Sequence, residues 1–210
     1  MDSRWRPSPG QLAQVLIGLW IFGIGEAMLV ASELGNSPWT VLAEGVSKHT
    51  PLSIGAATLA IGAAVLLCWI PLSERPGVGT VLNSIVIGIS IDVTLSLLPT
   101  LESLAVRWVS LLLGIAVVGL GSGLYLTARL GPGPRDGLMT GLNARYGWPL
   151  AAVRTGIELA AVTTGALLGG TVGLGSLLFA VLIGHAVSFG VRRLEPHAAP
   201  GRRRTAAIKG

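Results

Sequence analysis

Leu34-Gly35-Asn36-Ser37-Pro38-Trp39-Thr40-Val41-Leu42 and Leu130-Gly131-Pro132-Gly133-Pro134-Arg135-Asp136-Gly137-Leu138 stand 96 positions apart. Each is a proline-glycine loop that follows an apolar run and opens a segment too polar to cross a bilayer. Outward from these loops, the same offset sets Gly18–Ser90 against Gly114–Ala186 without a gap, pairing Gly18 with Gly114, Gly25 with Gly121 and Gly88 with Gly184. Single glycine matches carry little weight in a chain with 30 glycines. A constant offset held across a whole unit marks an internal duplication. Copies that each cross the bilayer an odd number of times point in opposite directions, and many secondary transporters are built on such inverted repeats.

The chain is 51% hydrophobic and 12% charged, with a mean hydropathy of +0.70. That leaves too little polar surface to coat a soluble globule, so the expected class is an all-α integral membrane protein, with residues 1–210 as one membrane domain. The net charge of +5 does not call for nucleic acid, because the basic residues sit at the termini and in short loops, where they set orientation. Cys68 is the single cysteine, which excludes an intrachain disulfide and a cysteine metal cluster. No cofactor is expected.

Apolar runs of about 20 residues, enough to span, lie near Leu12–Ser32, Leu52–Leu72, Gly79–Leu98, Leu104–Ala128, Trp148–Leu168 and Val172–Phe189. Asn83 and Asp92 interrupt the third, and a five-span count would demote one run. Six spans place Arg4, Arg6, Arg75, Arg129, Arg135, Arg145, Arg192, Arg193 and the tail residues Arg202, Arg203, Arg204 and Lys209 on one side, against Lys48 and Arg107 on the other. The positive-inside rule then puts both termini, and the basic tail over 190–210, in the cytoplasm of a cell bounded by an inner membrane. Five spans would separate two arginine clusters. Trp39, Trp69, Trp108 and Trp148 fall near span ends and are expected to anchor in the headgroup zone.

Pro38 and Pro134 are each suited to a first helical turn, where the missing N–H has no intrahelical partner. The segments they open, Trp39–His49 and Arg135–Tyr146, are too short to span. Two placements are open: half-helices dipping in from opposite leaflets with their positive ends toward a common site, or interfacial connectors. Arg135 and Asp136 read either as a capping and anchoring pair or as a substrate contact, with Asp136 accepting from first-turn amides and Arg135 reaching a phosphate or other anion.

The run Gly131-Pro132-Gly133-Pro134-Arg135-Asp136-Gly137-Leu138-Met139 resembles the YczE-type bacterial membrane proteins, allied to the YitT group. The similarity extends from the first span through Leu34-Gly35-Asn36-Ser37-Pro38-Trp39 to Leu167-Leu168-Gly169-Gly170-Thr171-Val172-Gly173-Leu174-Gly175. The resemblance implies a multi-span inner-membrane protein of largely undefined activity, and it supplies no substrate. Thr40 stands where the second loop has Asp136, so the loops differ in charge.

Within the spans, Glu26, Asp92, Arg154, Glu158 and His185 are costly. An ionisable group at mid-membrane costs about 2.5–3.5 kcal/mol on insertion scales unless it finds a partner or water. Arg154 and Glu158 are one turn apart and are expected to meet. At least two of Glu26, Asp92 and Glu158 are expected to face the bundle interior. His185 is either a proton relay or a packing hydrogen bonder.

No nucleophile-base arrangement, phosphate loop or metal-ligand spacing is present, which disfavours an enzyme. The leading expectation is a small secondary transporter or channel-like protein. Two inverted three-helix repeats, each with a Pro/Gly loop and a short non-spanning helix, would surround a midplane site for a small solute or ion. The alternative is a non-transporting factor that binds or stabilises other membrane proteins through its glycine and alanine stripes. The bilayer is the expected partner, and nothing fixes an oligomeric state.

Overall fold

A computed structural model describes residues 3–194. Among the described residues the chain forms one 3-10 turn, Ser3–Trp5, and eight α-helices, with no strand. They are α1 (Pro9–Ser32), α2 (Pro38–His49), α3 (Ile54–Leu67), α4 (Val78–Leu97), α5 (Leu104–Thr127), α6 (Pro134–Tyr146), α7 (Leu150–Leu167) and α8 (Leu174–Leu194). Pro38, Ile54 and Val78 start α2, α3 and α4; Pro134, Leu150 and Leu174, each 96 residues later, start α6, α7 and α8. The part of the expected basic tail from residue 195 onward lies outside the described residues.

Local chemistry sets the ends. Ser8 caps α1 by accepting from the Gln11 amide at 3.2 Å, while the Gln11 side chain accepts from the Ser8 amide at 3.1 Å, a reciprocal capping box. Past α1 and α5 the chain turns through left-handed residues at matching positions, Glu33 (φ 54°) and Arg129 (φ 58°), then Gly35 (φ 125°) and Gly131 (φ 119°). At the two glycine positions a side chain would be strained. Each loop then docks on the opposite half: the Gly175 amide donates to Leu34 O at 2.8 Å, and the Gly79 amide to Leu130 O at 2.9 Å.

The core is the crossing of α1 and α5. A Cβ on Gly25 would come within 2.7 Å of Gly114 O, and one on Gly121 within 2.7 Å of Gly18 O. Bare backbone at these sites lets the two helices approach closely, the main source of association where lipid supplies no hydrophobic drive. Val15, Leu19, Phe22 and Leu29 of α1 pack with Leu111, Ile115 and Val118 of α5. Polar side chains lock both ends of the crossing. Gln14 Nε2 donates to Leu124 O at 3.0 Å, and Ser110 Oγ donates to Met28 O at 2.9 Å. Around this pair, α4 packs on α1, α8 on α5, α2 on α7 and α6 on α3. The outer faces carry exposed apolar side chains such as Leu112, Leu113, Leu177 and Val181, as lipid requires.

Five helices are long and apolar enough to cross a membrane: α1, α4, α5, α7 and α8. The expected second span is not one long helix. α3 has 14 residues, about 21 Å, and reaches a sixth crossing by this measure only when counted with α2, from which it is bent by 113°. Beyond Leu67 the chain nevertheless continues as tight turns, with Trp69, Ile70, Leu72 and Ser73 amides each bonded three residues back. The reason lies in Trp69. Its ring is 2% exposed, packs under Gly137 and donates from Nε1 to Pro134 O at 2.9 Å. Trp69 is therefore a buried brace for the start of α6 rather than a headgroup anchor. Trp39 too is turned inward, whereas Trp148 is 54% exposed and stacked on Tyr146.

Candidate functional site

The two proline-led helices bring their first residues together. Arg135, second in α6, lies with its guanidinium carbon 5.7 Å from the Phe22 ring centre and 5.9 Å from that of Trp39, second in α2. Both distances fit cation–π contact. Trp39 and Arg135 are themselves 96 positions apart.

Two cavities meet at this contact. The larger, about 410 Å³, is lined by Phe22, Trp39, Tyr125, Arg135, Asp136, Arg154 and Glu158, with Phe179, Ile183, Gly184 and Val187 of α8 on its far wall. The smaller, about 60 Å³, is lined by Phe22, Glu26, Trp39, Thr40 and Arg135, with Thr58, Ile61 and Gly62 of α3 and Asn83, Ser84, Ile87 and Ile91 of α4. Apart from Val65, every residue lining the smaller cavity has a counterpart 96 positions away in the lining of the larger. Thr58 answers to Arg154, Gly62 to Glu158, Ser84 to Ala180 and Glu26 to Ser122. The volumes differ because the walls do. α3 lies against α4, where a Cβ on Gly88 would meet Gly55 O at 2.6 Å; α7 stands off from α8, and a Cβ on Gly184 would meet nothing within 4 Å.

Glu26 is 2% exposed. Its Oε2 accepts from Ser37 Oγ at 2.8 Å and Thr40 Oγ1 at 2.7 Å, which ties α1 to the first turn of α2. Its Oε1 has no hydrogen-bond partner, and neither do Ser84 Oγ or Trp39 Nε1. Asp136 accepts from Tyr125 OH at 3.2 Å rather than from the first-turn amides. Arg154 Nε donates to Glu158 Oε1 at 3.0 Å on the wall of the larger cavity. Pro38 and Pro134 line the larger and the smaller cavity respectively.

Glu26, Pro38, Pro134, Arg135, Asp136, Arg154 and Glu158 are thus gathered in one region. Asp92 and His185 are not. Asp92 accepts from Ser53 Oγ and, at 2.8 Å, from the Gly55 amide, so it holds the N-terminus of α3. His185 is exposed, and its Nδ1 is paired with Val181 O of its own helix at 3.3 Å.

A second buried carboxylate escapes sequence reasoning. Glu44 of α2 is 8% exposed. It takes Asn36 Nδ2 at 2.8 Å, the Thr171 amide and hydroxyl each at 2.7 Å, and Lys48 Nζ at 2.8 Å. It clamps α2 to the loop before α8. The polar character of the Trp39–His49 segment suggests a solvated surface, and only the packing of α2 on α7 buries it. Arg107, the other cation of that expected side, is paired with Glu33.

Relatives extend over nearly the whole chain. An uncharacterized protein of Haemophilus influenzae is 43% identical over 187 residues, covering 89% of this chain and 86% of that one. The uncharacterized membrane protein YczE of Bacillus subtilis is 34% identical over 198 residues, 91% of each chain, and the uncharacterized protein YyaS of the same organism is 26% identical over 185 residues, 86% of this chain and 92% of that one. No solved structure matches. Residues 10–192 match the model described as "Family of unknown function (DUF6198)", and the chain belongs to that family, as a multi-helix membrane protein of the YczE type.

Proposed function

We propose that this protein is a small secondary transporter in which two inverted three-helix repeats alternate in opening. The observation that carries the reading is the pair of cavities: equivalent residues line both, yet one encloses about 410 Å³ and the other about 60 Å³. A protein built from inverted repeats moves between inward- and outward-facing forms by exchanging the conformations of its halves. A matched pair sharing one wall, expanded in one half and contracted in the other, is what such a mechanism needs. The charged groups on the lining, Arg135, Asp136, Arg154 and Glu158, also favour transport over a dry packing scaffold.

In the six-span topology, with both termini in the cytoplasm, the turns over 68–73 complete the second span. The larger cavity, bounded by Tyr125, Arg154 and Val187 near the arginine-rich ends, then faces the cytoplasm. Arg154 and Glu158 supply a neutralised pair on its wall, so the cavity holds water without an isolated charge facing lipid.

The test is flux in reconstituted vesicles, read with a panel of small solutes under an imposed proton or sodium gradient. The expected result is uptake of at least one solute, abolished by Glu158→Gln while the melting temperature stays within about 2–4 °C of wild type. No flux across the panel, together with a Glu158→Gln effect confined to melting temperature, would make Glu158 a structural partner of Arg154 and overturn the reading.

A further inference from the structure

Where the two cavities meet, hydrogen-bond donors have nothing to donate to. Arg135 makes no hydrogen bond or ion pair with any described residue; it lies instead against the Phe22 and Trp39 rings. An arginine presents five N–H donors in a rigid fork, and neither ring offers that fork an oxygen acceptor. Trp39 Nε1, which is donor-only, is buried without a partner. Ser84, 8% exposed, adds an unpartnered hydroxyl on the smaller cavity. Polar groups withdrawn from water and left unpaired cost free energy, and Trp39 Nε1 and Ser84 Oγ beside the Arg135 fork mark a place built to be occupied.

Charge selects the occupant. Glu26 lines the smaller cavity and not the larger, with one oxygen held by two hydroxyls, and forms no salt bridge with Arg135. On the larger side Glu158 is paired with Arg154 and Asp136 is engaged by Tyr125. The guanidinium is within electrostatic reach of Glu26 and Tyr125 but bonded to neither, and it stands at the start of α6 and across from the start of α2, whose amide ends both favour negative charge. A cation would meet Arg135 directly.

We propose that Arg135 is the substrate anchor, and that the ligand presents an oxyanion group, a carboxylate or a phosphate, to its fork. Trp39 and Phe22 hold the guanidinium plane, and the body of the ligand occupies the larger cavity between α7 and α8. This assignment rests on the transport reading for its route but not for the binding itself. An oxyanion could arrive as a free solute or as a lipid headgroup entering between α7 and α8, and the experiment separates the two.

Purified full-length protein in neutral detergent is melted at constant ionic strength with acetate, benzoate, inorganic phosphate, L-alanine or choline, and separately with phosphatidylglycerol added to the micelles. The expected result is that at least one soluble oxyanion raises the melting temperature by roughly 2–4 °C at about five times its dissociation constant. Arg135→Gln should remove the rise. Arg135→Lys, which keeps the charge and loses the fork, should weaken binding by about tenfold. A rise with phosphatidylglycerol alone, lost in the same variants, assigns the oxyanion to a lipid. Stabilisation by choline alone, no stabilisation by any probe, or a rise that survives in both variants would overturn the proposal. Arg135-dependent binding without flux in vesicles would instead sink the transport reading and leave this one standing.

Discussion

Glu26 illustrates how far one residue can be taken. A carboxyl at that depth needs partners, and it has them in Ser37 and Thr40, which belong to the loop and first turn of α2. Removing the acceptor strands the buried Thr40 hydroxyl, at about 1–3 kcal/mol for an unsatisfied group, and leaves Ser37 only Thr40 Oγ1 at 3.1 Å. Glu26→Ala is therefore expected to destabilise the protein by about 2 kcal/mol, and Glu26→Gln, which keeps a carbonyl oxygen for them, by under about 1 kcal/mol. Denaturant unfolding in detergent checks the order, and equal losses would mean that Oε2 does not hold α2. That Glu26 and Glu158 need a partner was legible from cost alone, because a charge in an apolar run must be accounted for. Depth does not say which way a side chain faces, so Asp92 and His185 looked equivalent to Glu26, yet one caps α3 and the other points outward. Glu44 was illegible for the opposite reason: its segment is polar enough to read as surface.

At the scale of elements, the sequence signals worked where a local rule acts. Pro38 and Pro134 start helices as N1 prolines should, and the left-handed turns at Gly35 and Gly131 fall in the loops that the glycines mark. The second span was misjudged in form because Trp69, apolar enough to continue a helix, is drawn under α6 by a tertiary contact with Pro134. Helix pairing also explains why two equivalent glycines should differ in tolerance. Gly88 faces the backbone of Gly55, whereas Gly184 faces open space. Gly88→Leu should force α3 from α4 and cost about 2–3 kcal/mol. Gly184→Leu should change stability by no more than about 0.5 kcal/mol. If closure of α7 on α8 mirrors that of α3 on α4, Gly184→Leu should also abolish flux, since the leucine would occupy the position against Ala151 that Gly88 takes against Gly55. Equal destabilisation by the two substitutions, read by thermal melting, would remove this distinction.

For the whole molecule, the offset of 96 residues runs from single glycines through helix starts to the lining of two cavities. On the proposed mechanism the cavities are alternative routes to one wall at Trp39 and Arg135, opening to opposite sides of the membrane. The exchange needs only the α3–α4 and α7–α8 pairs to trade packing while the α1–α5 crossing stays fixed. The most direct measurement uses single cysteines at Ile91 and Val187, equivalent positions in the two linings, in a Cys68→Ser background because Cys68 is itself exposed. A membrane-impermeant thiol reagent is applied to oriented vesicles from one face at a time. Val187→Cys should label from the cytoplasmic face and Ile91→Cys, more slowly, from the outer face. Adding Gly184→Leu should leave the first and eliminate the second. Labelling of both cysteines from the same face, or labelling of Ile91→Cys undiminished by Gly184→Leu, would contradict the account.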